Sequence, residues 1–248
     1  MQRTALITGG IGGIGTAICQ DFLKDGYRVV ANYHPAEEKT AQDWLEDRLK
    51  EGNKDISIIS GDVASFESCE EMAEKVKSKI GHIDTLVNCA GITRDKTLKK
   101  MTKEMWNDVI NIDLTGVFNV TRQFIEDMTE KNFGRIVNIS SVNGQKGQLG
   151  QTNYSAAKAG VHGFSMALAQ EVIRKGVTVN TISPGYVETT LTGAMPPEVL
   201  KEIVNTIPIG RMAKPEDISY AVSMLCDERA GYISGANIPV NGCFFTSF

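Results

Sequence analysis

The chain has 248 residues, a mass of 27.0 kDa, 42% hydrophobic and 23% charged residues, and a formal net charge of −4. That balance suits a globular protein large enough to build a core without a disulfide or metal staple, and it argues against nucleic acid or an anionic membrane as partner. Five scattered cysteines without a CxxC pair, no leader-like segment and no apolar run near the ~18 residues of a membrane helix predict reduced thiols in a cytoplasmic protein.

Strand, glycine turn and helix alternate from the start. Thr4 to Thr8 reads as a short apolar strand, and Ile14, Ile18, Phe22 and Leu23 follow at helical spacing up to Gly26. Tyr27 to Ala31 is a second strand, Glu37 to Lys50 a polar helix, and Ile56 to Ser60 a third strand. Ser65 opens a helix with Cys69, Met72, Val76 and Ile80 on one face, and Thr85 to Asn88 is the fourth strand. Thr102 to Met128 reads as one helix, because it opens on a threonine cap and holds no proline. Arg135 to Ser140 is the fifth strand, and a long helix runs from near Asn153 to Gly176. Thr178 to Ser183 and Asn237 to Val240 complete the strands. Strands apolar on both faces and alternating with helices predict one α/β domain over residues 1–248. It would be a Rossmann-type, doubly wound parallel sheet of about seven strands in the order 3-2-1-4-5-6-7. The proline-rich stretch 188–215 reads as a lid or substrate loop around a short helix.

Thr8-Gly9-Gly10-Ile11-Gly12-Gly13-Ile14-Gly15 follows the first strand and opens the first helix. Glycines there let the backbone approach a pyrophosphate, and the helix N-terminus adds N–H groups and partial positive charge. Such a run can also serve only to pack helix on strand, but its place in the first βα unit predicts a dinucleotide. The second strand then runs into Asn32-Tyr33-His34, where an NAD-binding chain would place an acid on the ribose; Glu37 and Glu38 come later. A 2′-phosphate would meet no repulsion, so NADPH is the expected cofactor, with Lys39 the candidate for its extra phosphate.

Tyr154 and Lys158 are four residues apart and share a helix face. An ammonium near a phenol lowers a pKa that is ordinarily about 10 and fits the phenol for proton transfer. Tyr-x-x-x-Lys also occurs as an ordinary surface pair. Ser140-Ser141, at the carboxyl end of the fifth strand, places a hydroxyl where open α/β sheets bind ligands. The three histidines, His34, His82 and His162, form no ligand cluster, and no metal is expected. Ser165, inside a helix, reads as structural.

On these residues the chain resembles the short-chain dehydrogenase/reductase family over nearly its full length. The matching motifs are Thr8 to Gly15, Asp62-Val63, Asn88-Cys89-Ala90-Gly91, Ser141, Tyr154-Ser155-Ala156-Ala157-Lys158 and Pro184-Gly185. Val137 to Gly160, with Gly91 to Asp95 before it and Lys175 to Val187 after it, resembles the members that reduce acetoacetyl-CoA. The resemblance implies Tyr154 as acid, Ser141 as the group orienting the carbonyl, and Lys158 on the nicotinamide ribose. It places Gly9, Gly12, Gly13, Ile14 and Gly15 at the pyrophosphate, and Gly61, Asp62 and Val63 near adenine. Asn88, Ala90 and Gly91 would line the adenosine side, and Pro184, Gly185 and Val187 would flank the nicotinamide. Asp95, Gln148 and Gln151 would line an acyl pocket together with Ser141 and Tyr154. The family's asparagine on the long helix, which holds a water in a relay to the lysine, is Asp113 here; the expectation is a relay kept with altered pH dependence. Arg94, Lys99, Lys100, Lys103 and Lys146 are either contacts for CoA phosphates or a solvated face.

The implied function is NADPH-dependent reduction of a 3-oxoacyl thioester, foremost acetoacetyl-CoA to (R)-3-hydroxybutanoyl-CoA, by a homotetramer. The alternatives are reduction of a 3-oxoacyl carrier-protein thioester and, in another class, a non-catalytic cofactor-binding sensor or scaffold.

Overall fold

The structure, a computed structural model, describes residues 2–189 and 196–246. Seven parallel strands form one sheet: β1 (Thr4–Ile7), β2 (Arg28–Tyr33), β3 (Ile56–Ser60), β4 (Thr85–Asn88), β5 (Gly134–Ile139), β6 (Val177–Pro184) and β7 (Asn237–Val240). Their order is β3-β2-β1-β4-β5-β6-β7, as the sequence predicts. β1, β4, β5 and β6 are buried at every residue, because helices cover both faces.

The helices divide between the two faces by their apolar stripes. On one side Ile18 and Phe22 of α1 (Gly13–Lys24) meet Ile218, Val222 and Leu225, with Trp44 of α2 (Glu38–Lys50) packed against them. On the other, Met72 and Val76 of α3 (Phe66–Lys79) join Val120, Phe124, Met128, Ala169 and Val172. The two predicted caps are present: Ser65 Oγ accepts Ser68 N–H at 3.2 Å and Thr102 Oγ1 accepts Met105 N–H at 3.2 Å.

The predicted single helix over Thr102 to Met128 is corrected. α4 (Lys103–Ile110) ends in a π-helical turn at Asn111–Thr115, and α5 (Gly116–Glu130) continues from it. Without proline or a glycine pair at the break, the sequence carried no signal; what holds the wide turn is the burial of Asp113 against polar partners described below. After the short α6 (Asn143–Lys146), α7 (Thr152–Val172) passes into a 3-10 turn that stops at Gly176. Gly176 has φ +68° and an added Cβ would lie 2.3 Å from Asn132 O, so only glycine ends the helix here. In the predicted lid a helix is present, α8 (Pro197–Thr206), while 190–195 lie outside the described residues; α9 (Pro215–Cys226) follows. Among the described residues no helix is long and apolar enough to cross a membrane.

Candidate active site

The carboxyl ends of β1, β4, β5 and β6 converge on one edge of the sheet. Thr8 laces two of them together: its hydroxyl accepts Cys89 N–H at 3.0 Å and Ala90 N–H at 3.1 Å. Gly9, at φ +60°, packs so closely on this turn that a Cβ would sit 2.9 Å from Ala90 Cα. An added Cβ on Gly15 would lie 2.2 Å from Gly9 O, which holds the loop tight against α1. Gly12 and Gly13 are instead exposed, and α1 starts without a side-chain cap and without an acid in its first turn. A bare helix N-terminus above a tight glycine loop is a shape a pyrophosphate fits. Gly10 serves the fold: its N–H donates to Asn32 O at 2.9 Å and it lies against Ala31.

Further along the edge, the residues expected at the adenosine divide. Asp62 is partly open, 3.8 Å from His34 Nε2, and its Oδ1 accepts Ala64 N–H at 2.9 Å. Val63 is buried against Gly116. Gly61 packs on Met72, where a Cβ would come within 2.8 Å of Sδ, so its smallness serves helix packing. The Asn88 side chain departs from expectation. It is 4% exposed and points into the interior, donating to Asn138 Oδ1 at 2.8 Å and Thr121 Oγ1 at 3.1 Å. It braces β4 to β5 and α5. At the end of β2, Tyr33 is buried and donates to Glu38, Glu37 accepts His34 N–H at 3.4 Å, and Lys39 is exposed in the first turn of α2.

The catalytic candidates do come together. Lys158, 4% exposed, donates from Nζ to Ile139 O at 3.0 Å and stands 5.6 Å from the Tyr154 ring centroid. Ser141 lies just past the end of β5, close enough to the Tyr154 hydroxyl to influence it. Val142 N–H donates to Pro184 O at 2.8 Å, which ties this loop to the end of β6, and Gly185 N–H donates to Val240 O at 3.0 Å. Gly185 admits no side chain without crowding Asn241, and Val187 is buried beside it, bridged to Ala213.

Asp113 is fully buried, and the π turn delivers it to the lysine. Oδ2 lies 3.1 Å from Lys158 Nζ, and Oδ1 accepts Ile92 N–H at 2.9 Å. Asp113 therefore meets the lysine directly as an ion pair. Gly91 makes room for it: a Cβ there would sit 2.7 Å from Asp113 Oδ2. The electrostatics correct the expectation of a lowered phenol pKa. Burial raises Tyr154 above the ordinary phenol range; Lys158 and the nearby Ser141 hydroxyl pull it down, Asp113 pushes it up, and the balance stays high. Burial works to lower Lys158, but Asp113 and the phenol outweigh it and hold the ammonium charged above its usual range. The neighbouring Cys89 thiol is pushed up to about 12 by burial and stays neutral.

On the outer side of Ser141, Gln151 Nε2 donates to Asp95 Oδ2 at 2.8 Å and Gln148 Oε1 accepts Lys146 Nζ at 2.9 Å. Arg94 turns to Asp108 at 3.5 Å, whereas Lys99, Lys100 and Lys103 are exposed. Two aromatic residues passed over in the sequence complete this wall. The Tyr186 ring meets Phe244 edge-on at 5.5 Å, and Lys146 Nζ stands 4.8 Å over the same Phe244 ring. Tyr186 directly follows Pro184-Gly185, a usable signal; Phe244 reaches the site only because the chain folds back after β7. Ser165 is structural as expected, accepting Asn138 Nδ2 at 2.8 Å and donating to Val161 O at 2.7 Å.

Comparison with known proteins agrees with this geometry. A family model described as short chain dehydrogenase matches residues 3–199. The chain is 58% identical over 245 residues, 99% of each chain, to a protein of Allochromatium vinosum named acetoacetyl-CoA reductase. It is 53% identical over 241 residues, 97% of each, to the acetoacetyl-CoA reductase of Cupriavidus necator. To the 3-oxoacyl-[acyl-carrier-protein] reductase of Haemophilus influenzae it is 40% identical over 245 residues, 99% of each.

Proposed function

The chain belongs to the short-chain dehydrogenase family and is an oxidoreductase, and on that premise we propose that it reduces acetoacetyl-CoA to (R)-3-hydroxybutanoyl-CoA with NADPH. The observation that carries the reading is the placement of Tyr154 between Ser141 and Lys158, at the sheet edge that also holds the bare glycine loop. The relatives that share half or more of their sequence with it include two acetoacetyl-CoA reductases.

NADPH, when bound, supplies the hydride that adds to the ketone carbon. Gly9, Gly12, Gly13, Ile14 and Gly15 would hold its pyrophosphate, Asp62 and Val63 would border the adenine with Ala90 and Gly91 beside them, and Pro184, Gly185 and Val187 would flank the nicotinamide. Ser141 donates to the substrate carbonyl and stabilises the charge that develops on its oxygen. Tyr154 transfers its proton to that oxygen; a phenol held above its ordinary range is fully protonated at neutral pH, as a donor must be. Lys158 would hold the nicotinamide ribose, its ammonium stabilises the phenolate left when the proton has gone, and Asp113 fixes that ammonium in place. Asp95, Gln148 and Gln151 line the acyl pocket, with 188–215 as its lid.

NADPH is favoured over NADH because β2 ends in Asn32-Tyr33-His34 with no free carboxylate. Asn32 is buried, Glu38 is engaged by Tyr33 and Gln42, and Glu37 faces the His34 backbone. His34 and Lys39 are the groups available to a 2′-phosphate. The enzyme is cytoplasmic and assembles as a homotetramer, for which Phe118, Met166 and Ile173, exposed on α5, α7 and the turn after α7, supply apolar surface.

Initial rates test the reading: acetoacetyl-CoA with NADPH and with NADH, beside the carrier-protein thioester with NADPH. Faster turnover of acetoacetyl-CoA with NADPH supports it. Equal rates with NADH remove the cofactor preference, and faster turnover of the carrier-protein thioester favours the reaction named for the Haemophilus relative.

A further inference from the structure

Asn143 opens α6, two residues after the serine, and no role above uses it. Its side-chain amide donates to Gln151 Oε1 at 2.8 Å, and Gln151 Nε2 passes the line on to Asp95 Oδ2 at 2.8 Å. Its backbone N–H donates to Ser141 Oγ at 3.1 Å. The two loops involved are also joined through their backbones, where Lys96 N–H donates to Gly150 O at 2.9 Å.

Charge fixes the direction of this line. An ionised carboxylate only accepts hydrogen bonds, so Gln151 must offer Asp95 its NH2 and leave its carbonyl facing Asn143. That carbonyl needs a donor, and Asn143 supplies one. At the other end, the backbone N–H occupies a lone pair of Ser141 Oγ and leaves the single serine proton for the substrate carbonyl. We propose that Asn143 is a positioning residue that sets the polarity of Gln151 and steers Ser141, so that acyl pocket and catalytic hydroxyl are held as one unit. This rests on the reading that Asp95 and Gln151 line the acyl pocket.

A charge-reversing cycle tests it. In Asn143→Asp the new carboxylate draws the Gln151 NH2 toward itself and turns the glutamine carbonyl against Asp95. Adding Asp95→Asn reverses the whole line: the amide at position 95 now donates to that carbonyl. The expected result is a rise of about tenfold in KM for acetoacetyl-CoA from Asn143→Asp alone, and of no more than about twofold in the Asp95→Asn background, with kcat and the NADPH KM changing little. An equal cost in both backgrounds overturns the proposal. Gln151→Ala separates the two ways of failing. If it leaves KM unchanged, the pocket assignment is wrong; if it raises KM while the cycle shows no coupling, the pocket stands and the role of Asn143 does not. Should Asn143→Asp fail to fold, Asn143→Ala keeps the backbone N–H and is expected to raise KM about threefold with kcat retained, and no change contradicts the proposal.

Discussion

The Lys158 ammonium stands 3.1 Å from the Asp113 carboxylate, with their side chains only 5% and 0% exposed. Taking two charges out of water is costly, and the pair persists because each has a second partner: Ile139 O for the lysine and Ile92 N–H for the aspartate. The phenol feels both. Burial is the largest influence and keeps the proton on Tyr154; Lys158 favours phenolate and Asp113 offsets part of that, so the site is set for donation.

Asp113→Asn therefore has a signed outcome. Losing the carboxylate removes one influence that raises Tyr154 and one that raises Lys158, so both groups titrate at lower pH. Reduction uses the protonated phenol, so the alkaline limb of its kcat/KM profile moves to lower pH. Oxidation of the alcohol uses phenolate, and its rising limb moves the same way. Profiles in both directions, measured beside the native enzyme, check this; an unmoved profile shows that Asp113 does not tune the phenol.

Gly12 separates cofactor from fold. It is exposed at the N-terminus of α1, with φ −74° and ψ 173° that any residue adopts, and an added Cβ would meet only Gly9 O at 3.3 Å. Gly12→Ala is expected to change thermal stability by less than about 1 kcal/mol and to weaken NADPH binding about tenfold or more by crowding the pyrophosphate. Fluorescence titration with NADPH and a melting curve together decide it.

Asn88 is expected to behave the other way. Its buried amide bridges Asn138 and Thr121, so Asn88→Ala leaves both without their partner and costs about 1–3 kcal/mol in urea unfolding. The NADPH KM of the folded variant stays within about twofold, because its side chain does not face the cofactor edge. A large KM effect at unchanged stability returns Asn88 to the cofactor site.

The parallel α/β sheet, the glycine turn after β1 and the nearness of Tyr154 to Lys158 were legible in the sequence because they follow from period, turn chemistry and helix spacing, whereas the strand order rested on the family resemblance. What the sequence hid depends on where long-range packing points a side chain. Asn88 sits in a motif that reads as cofactor-lining, yet its amide turns inward. The π turn has no composition of its own, and it is what lets Asp113 touch Lys158 directly. The sign of the Tyr154 shift was missed because a neighbouring ammonium is visible in sequence spacing, whereas burial is not.

The Tyr154 hydroxyl is the proposed proton donor in this site, and Tyr154→Phe removes that oxygen alone. The measurement is kcat/KM for acetoacetyl-CoA at saturating NADPH, with NADPH affinity read in parallel. The predicted result is a loss of about 10²- to 10⁴-fold with cofactor binding retained. Turnover by the phenylalanine variant at the native rate would contradict it.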